Sequence, residues 1–484
     1  MGILLVAAAL RFRHLGRLSL WYDEVVPMRL AREPSPMALL RLLFQIEATR
    51  APLQPLVLHY WLRLWGVSDF SGRALSALCG VITVALVFRL GRRLYDAPTA
   101  LWASWLAAIS PLLIRYSQEA KMYAWLTMMT CLAWDRLLAL RGLIREGEAP
   151  AEQSPGGSVA LKGAISWGLL AAFAACQVAL VYSHPLGLFM VAAQGLAFLA
   201  CQTEYQVSLR RWLFAQGVVL LAIAPWVGHY LDHAPESTAG HLPFRFLLGL
   251  PIGFTGGNFL TLGGFCGLIA WGMIRARRRL EGNTFALTID HPFAVVTLLL
   301  WFLAPPLMLY GYSLVAHPLF GPARYTLFVG PAYLLLLGRG LARLPKWASA
   351  GVGIGITVLA TLTLQATVYA PDLKADWRSA ASFLQKFSRP TVIVLSTDPD
   401  HNLEVETARY YLGRDVKVIG TAEAVNNPPG NPRDPYGFVI FAVGLKRGAP
   451  VAALPPRLKP LYEPKATVDF PGLRLEFFRR VRLD

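Results

Sequence analysis

The chain has 484 residues, of which 55% are hydrophobic and 15% charged, with a formal net charge of +17. A soluble domain spends about a quarter of its residues on charge, so the polar side chains here are too few to coat a 53.3 kDa globule. An ordinary soluble enzyme is excluded, and the cations fall between apolar runs, as at membrane boundaries, with no basic face for nucleic acid.

In chain order, the apolar run 3–10 is too short to span and is followed by Arg11 and Arg13, which reads as a truncated start; no small-residue cleavage site of a signal peptide precedes the polar stretch. A span needs roughly 20 apolar residues, and the runs 73–95, 99–114, 120–140, 163–182, 186–201, 212–231, 257–274, 293–315, 325–341 and 348–369 are near that length, about eleven with the first. Short cytoplasmic loops collect Lys and Arg. Arg89/Arg92/Arg93, Arg141/Arg145, Arg210/Arg211, the arginines between 275 and 279, and Arg339/Arg343/Lys346 mark every second connection. The alternation puts loops 11–72, 115–119, 183–185, 232–256 and 316–324, and everything after 370, on the external face.

Between these runs, 52–65 is apolar but short and contains His59 and Arg63, so it is expected as an amphipathic helix in the outer interface. The Pro/Gly/Glu-rich stretch 141–162 reads as a flexible cytoplasmic linker. The five cysteines lie within or beside apolar runs, so no disulfide framework is encoded. After 370 the composition turns polar, with β-type runs at 391–395, 416–419, 438–443 and 473–478 and helical segments from 376 to about 387 and near 402–412. The expected fold class is mainly α: residues 1–370 form a polytopic helical membrane bundle, and residues 371–484 a small external α/β domain.

Ionisable residues at the water face of a membrane bundle are the expensive and informative ones. Trp21-Tyr22-Asp23-Glu24 sets two carboxylates just outside the first run, where one takes a proton from an incoming hydroxyl or amine while the other orients it or binds a divalent cation. A second reading has the pair cap the helix that follows, since acidic residues favour a first helical turn, and the pattern leaves both open. Arg50 lies in the same loop, Arg115-Tyr116-Ser117-Gln118-Glu119-Ala120-Lys121-Met122-Tyr123 in the next, and Arg324-Tyr325 before a late span. Cations held on the face that disfavours them suggest a bound anion, and a phosphate suits guanidinium forks plus a Lys point charge; snorkelling to lipid phosphates is the alternative for any one of them. His184, His229, His233 and His241 are too loosely spaced for a metal site and read as solvent-facing.

The Asp23-Glu24 pair, the Arg115 to Tyr123 motif, Arg324-Tyr325 and Asp376-Trp377-Arg378 together resemble the GT-C polytopic glycosyltransferases, in the bacterial branch of the protein O-mannosyltransferase and aminoarabinose transferase type. The resemblance runs essentially the whole chain. It implies an enzyme in the bacterial inner membrane that moves a sugar from a polyprenyl-phosphate donor to a lipid, glycan or protein acceptor on the external, periplasmic face. It implies Asp23 as general base beside Glu24, and Arg50, Tyr116, Glu119, Lys121, Tyr123, Arg324 and Tyr325 as substrate-binding residues, with a divalent cation the only cofactor to consider. Two departures stand out. Arg50-Ala51-Pro52 occupies the place of a cation before Pro-Pro, and Lys121 stands where relatives commonly carry Arg, keeping charge but losing the fork.

A transporter or flippase of lipid-linked sugars would share the hydropathy and the cations, but should carry midplane charges and related halves, which the runs lack. A scaffold would leave Asp23 a helix cap only.

Overall fold

The computed structural model describes residues 1–47, 49–141, 157–233, 245–278, 285–315, 323–369, 375–385, 391–395, 403–413, 416–429, 439–444 and 454–481. The chain opens with α1 (Gly2–Phe12), and the segment that follows folds into α2 (Tyr22–Ala31), α3 (Pro36–Ile46) and α4 (Leu53–Trp65). The bundle continues with α5 (Asp69–Leu94), α6 (Ala97–Ile109), α7 (Pro111–Ser117), α8 (Met122–Ala139), α9 (Gly157–Ser183), α10 (Gly187–Ala200) and α11 (Leu209–Asp232). It closes with α12 (Arg245–Thr255), α13 (Phe259–Met273), α14 (Pro292–Val315), α15 (Gly330–Arg343) and α16 (Lys346–Thr367).

Each apolar run read from the sequence falls on a helix. Among the described residues, however, five helices are long and apolar enough to cross a membrane, six if the bent pair α6–α7 counts as one. Of the other runs, α10 has 14 residues, fewer than a straight crossing needs. α9 begins at Gly157, inside the stretch read as linker, whose residues 142–156 lie outside the described ones. The basic stretch near 275 is not a plain loop either, since β1 (Ile274–Arg278) and β2 (Phe285–Ile289) pair antiparallel.

Helices approach closely where side chains vanish. A Cβ on Gly91 would meet the Ala100 backbone at 2.7 Å, and one on Gly338 the Ala103 backbone at 2.7 Å, so α6 beds into α5 and α15. The pair α6–α7 bends by 56° where Pro111 interrupts the hydrogen-bond ladder. Ser110 at the break donates to the Phe254 carbonyl (2.7 Å), which anchors the bend. Arg11 is fully buried and donates to the Ala107 and Ala108 carbonyls at 2.9 Å each, locking α1 to the end of α6.

Beyond α16, the C-terminal part comprises α17 (Trp377–Leu384), β3 (Thr391–Leu395), α18 (Leu403–Leu412), β4 (Lys417–Gly420), α19 (Thr421–Asn426), β5 (Val439–Gly444), β6 (Tyr462–Phe470) and β7 (Leu473–Arg480). The sheet runs β4-β3-β5-β7-β6, parallel from β4 to β5 and antiparallel on its other side. Val392, Ile440, Ala442, Leu475 and Phe477 meet Trp377, Leu384 and Val405 in a separate apolar core. Strand β6 went unread in the sequence because its outward positions are charged and exposed.

Candidate active site

Several segments distant in the chain meet around Asp23. The carboxylate sits in the first turn of α2, half-covered, with Lys121 Nζ 3.3 Å from Oδ1 and Arg324 Nη1 3.3 Å from Oδ2. Lys121 is the residue before α8, outside the helix that the hydropathy began at 120, and its side chain is almost wholly enclosed. Ser76 of α5 holds its carbonyl at 3.1 Å. Burial, with the Arg50 guanidinium nearby, lowers the Lys121 ammonium to about 8, although Asp23 and Glu47 oppose the shift.

Glu24 points the other way. Its side chain is fully buried and grips Arg73 of α5 through two contacts of 2.7 and 2.8 Å. It also accepts the Ala120 N–H (2.9 Å) and reaches back to the Trp21 N–H (3.4 Å) as the second half of a capping box. The two readings of the acidic pair therefore divide between its members: Glu24 caps and ties α2, α5 and the 118–121 turn together, while Asp23 faces the cations. Enclosed in this way, Glu24 has no open oxygen with which to orient a substrate or hold a metal. Among the described residues no group of three or more His, Cys, Asp or Glu is placed to hold a metal ion.

The aromatic members form a row behind the carboxylate. The Tyr116 and Tyr123 rings stand edge to face at 5.4 Å, and Tyr123 lies 6.2 Å from both Tyr325 and His184. Arg324 lies over the Tyr325 ring at 5.4 Å. His184 is thus not solvent-facing: it is partly covered and accepts the Leu186 N–H on Nδ1, and burial plus the charges of Arg50 and Lys121 push it down to about 3, so it stays neutral. Arg115 is half-exposed and pairs with Glu119 at 3.9 Å, so Glu119 faces Arg115.

Arg50 pairs with Glu47 in its own loop, one Nη donating to Oε1 at 3.0 Å. Its charge still acts on Lys121, Tyr123 and His184, making it the third cation of the cluster. Nη1 of Arg50 and Nε of Arg324 are buried with no hydrogen-bond partner, as are Nε of Arg11 and of Arg339 away from this site. Buried donors left open are costly, and that of Arg324 belongs to the guanidinium paired with Asp23. The chemistry this offers is a base beside an anion cradle. Arg73 escaped sequence reading because its partner lies 49 residues away, yet an Arg at the mouth of an apolar run was a visible signal.

A sequence model of the dolichyl-phosphate-mannose-protein mannosyltransferase family matches residues 49–146. No curated protein matches the chain. Among solved structures, ArnT from Cupriavidus metallidurans aligns in its apo state and bound to undecaprenyl phosphate, each at 15% identity and TM-score 0.56 over 98% of this chain and 97% of that one. The archaeal oligosaccharyltransferase AglB from Archaeoglobus fulgidus, in complex with an inhibitory peptide and a dolichol-phosphate, aligns at 13% identity and TM-score 0.44 over 87% of this chain and 64% of that one. The mainly α bundle has the fold of ArnT, as the resemblance read from the motifs implies.

Proposed function

We propose that this chain is a polyprenyl-phosphate-dependent glycosyltransferase, moving a hexosyl or pentosyl group to a lipid, glycan or protein acceptor on the external face of a bacterial inner membrane. The observation that carries the proposal is a single carboxylate, Asp23, bridged at 3.3 Å on each oxygen by Lys121 and Arg324, beside unpartnered guanidinium nitrogens. ArnT, whose fold this chain shares, has been solved with undecaprenyl phosphate bound.

The arrangement suggests an exchange of partners. Without donor, Asp23 is the anion that neutralises Lys121 and Arg324. A donor phosphate takes over those cations and fills the open donors of Arg50 and Arg324, leaving Asp23 free to accept a proton. The acceptor oxygen or nitrogen attacks the anomeric carbon while the bond to the phosphate oxygen breaks and the electron pair leaves with polyprenyl phosphate. The acceptor proton passes to Asp23. Attack opposite the leaving group inverts the anomer in one step, with no covalent enzyme intermediate. Tyr116, Tyr123 and Tyr325 supply the aromatic wall against which a sugar ring packs.

Purified full-length protein supplied with undecaprenyl-phosphate sugars should release free undecaprenyl phosphate, and Asp23→Asn should stop the release. Release that survives in Asp23→Asn removes the assignment of the base. A scaffold releases nothing, and a flippase moves donor without cleaving it.

A further inference from the structure

The segment that carries Asp23 is irregular between α1 and α2, and side chains from two distant parts of the chain hold its carbonyls. From the bundle side, Arg73 donates to the carbonyls of Leu15 (3.0 Å), Leu18 (2.6 Å) and Ser19 (3.0 Å) while gripping Glu24. From the external side, Arg378 at the start of α17 donates to the Gly16 carbonyl (3.0 Å) and pairs with Asp69. The hydroxyl of Ser19 accepts the Arg378 N–H and donates to Asp376, at 3.2 Å each. Tyr411 of α18 joins the two sides: its hydroxyl accepts the Leu20 N–H at 2.6 Å and donates to Asp69 at 2.7 Å. Leu20 is three residues from Asp23.

We propose that the external α/β part is a component of the catalytic frame, in which Tyr411 and Arg378 are positioning residues that fix the 15–24 segment and so aim Asp23. The inference rests on Asp23 being the base. Position matters on this scale, because a carboxylate must stand within hydrogen-bond reach of the proton it removes, and small misplacements cost large factors in rate. The Tyr411 hydroxyl has one donor and one acceptor role to offer at this interface, and both are spent on the two sides of the clamp. Asp69, at the first turn of α5, is the shared anchor for Tyr411 and Arg378. Rigid helices thus back the segment from the membrane side and α17 and α18 from outside, and loosening either should move the base without disturbing the bundle core.

The test uses the full-length protein, comparing Tyr411→Phe with Tyr410→Phe. Tyr410 packs beside Tyr411 and under Arg32 (5.2 Å to the ring) but holds no group of the 15–24 segment. Tyr411→Phe should raise hydrogen exchange in the 15–24 peptide by about 10-fold, as loss of one hydrogen bond allows. It should also lower kcat with an undecaprenyl-phosphate sugar by about 10-fold at unchanged donor KM and unchanged Tm, because the phosphate cradle is untouched. Tyr410→Phe should do neither. Unchanged exchange in Tyr411→Phe, unchanged kcat, or equal effects of both variants would overturn the proposal, the last because ordinary packing would explain them. The exchange arm needs no turnover, so a wild-type protein that cleaves no donor defeats the enzymatic reading while exchange alone decides the clamp.

Discussion

Replacing Asp23 by Asn removes the base while keeping side-chain size, so turnover should fall at least about 10²-fold at unchanged Tm and undiminished donor binding, since the cations lose only an internal competitor. Glu24→Ala should behave differently despite being its neighbour. It strands the buried Arg73 without its counter-charge, which costs roughly 3–5 kcal/mol, so thermal unfolding should shift strongly downward. Differential scanning of both variants separates the roles, and matching Tm losses would refute the division. The ammonium of Lys121 gives a pH signature. Its folded value of about 8 lies below the ordinary 10.5, so its positive charge is lost as pH rises through about 8. Because kcat/KM reports the free enzyme, this parameter for the donor should decline above that pH, and Lys121→Arg should move the decline upward. Stability runs the opposite way: between about 8 and 10.5 the unfolded chain binds the extra proton, so this group makes folding more favourable as pH rises across the window. An alkaline limb identical in Lys121→Arg would assign it to another group.

At the scale of elements, α4 shows what patterning can and cannot tell. Its amphipathic character was legible, and Tyr60, Leu64 and Trp65 are indeed the exposed side. The packed side is not the lipid side, however: Leu58 and Leu62 are buried against α2 and α5, and His59 bonds the Ala31 carbonyl at 3.0 Å. Leu62→Arg would therefore break the fold. Leu64→Arg places a charge on the open face, and should reduce use of long-chain polyprenyl donors more than short-chain analogues if that face lines the lateral entrance. Equal losses with both donor lengths would make α4 a support only. The same contrast holds elsewhere. Helical runs were legible because hydropathy is a local property, and strands β3, β5 and β7 because β-branched and aromatic residues cluster in them. What escaped was long-range: the Arg73–Glu24 pair, the Tyr411 bridge to Leu20 and Asp69, and the burial of His184, each of which needs two segments to be placed before either residue acquires a meaning.

For the whole molecule, the two ends of the bundle carry different kinds of charge. At one end, Arg89, Arg93 and Arg136 surround the buried Asp135, Arg339 lies between Asp96 and Asp290, and Arg141 pairs with Glu204. These arginines belong to the connections rich in Lys and Arg, and among the described pairs their partners lie at the same end. At the other end stand Asp23, Lys121 and Arg324, one carboxylate held by two cations. Positive charge collects in short cytoplasmic loops, so the arginine-rich end should be cytoplasmic and the Asp23 end external. Single cysteines at positions 150 and 400 test this in a background freed of the five native ones, one of which, Cys266, is exposed. Position 400 should react with an impermeant maleimide in cells whose inner membrane is intact, and position 150 only after permeabilisation. The reverse pattern would place Asp23 in the cytoplasm, where the acceptor would have to be a cytoplasmic molecule and the α/β part could not meet an envelope substrate. Reaction at both positions from outside would require an odd number of crossings between them to be wrong, and with it the alternation of loop charges on which the orientation rests.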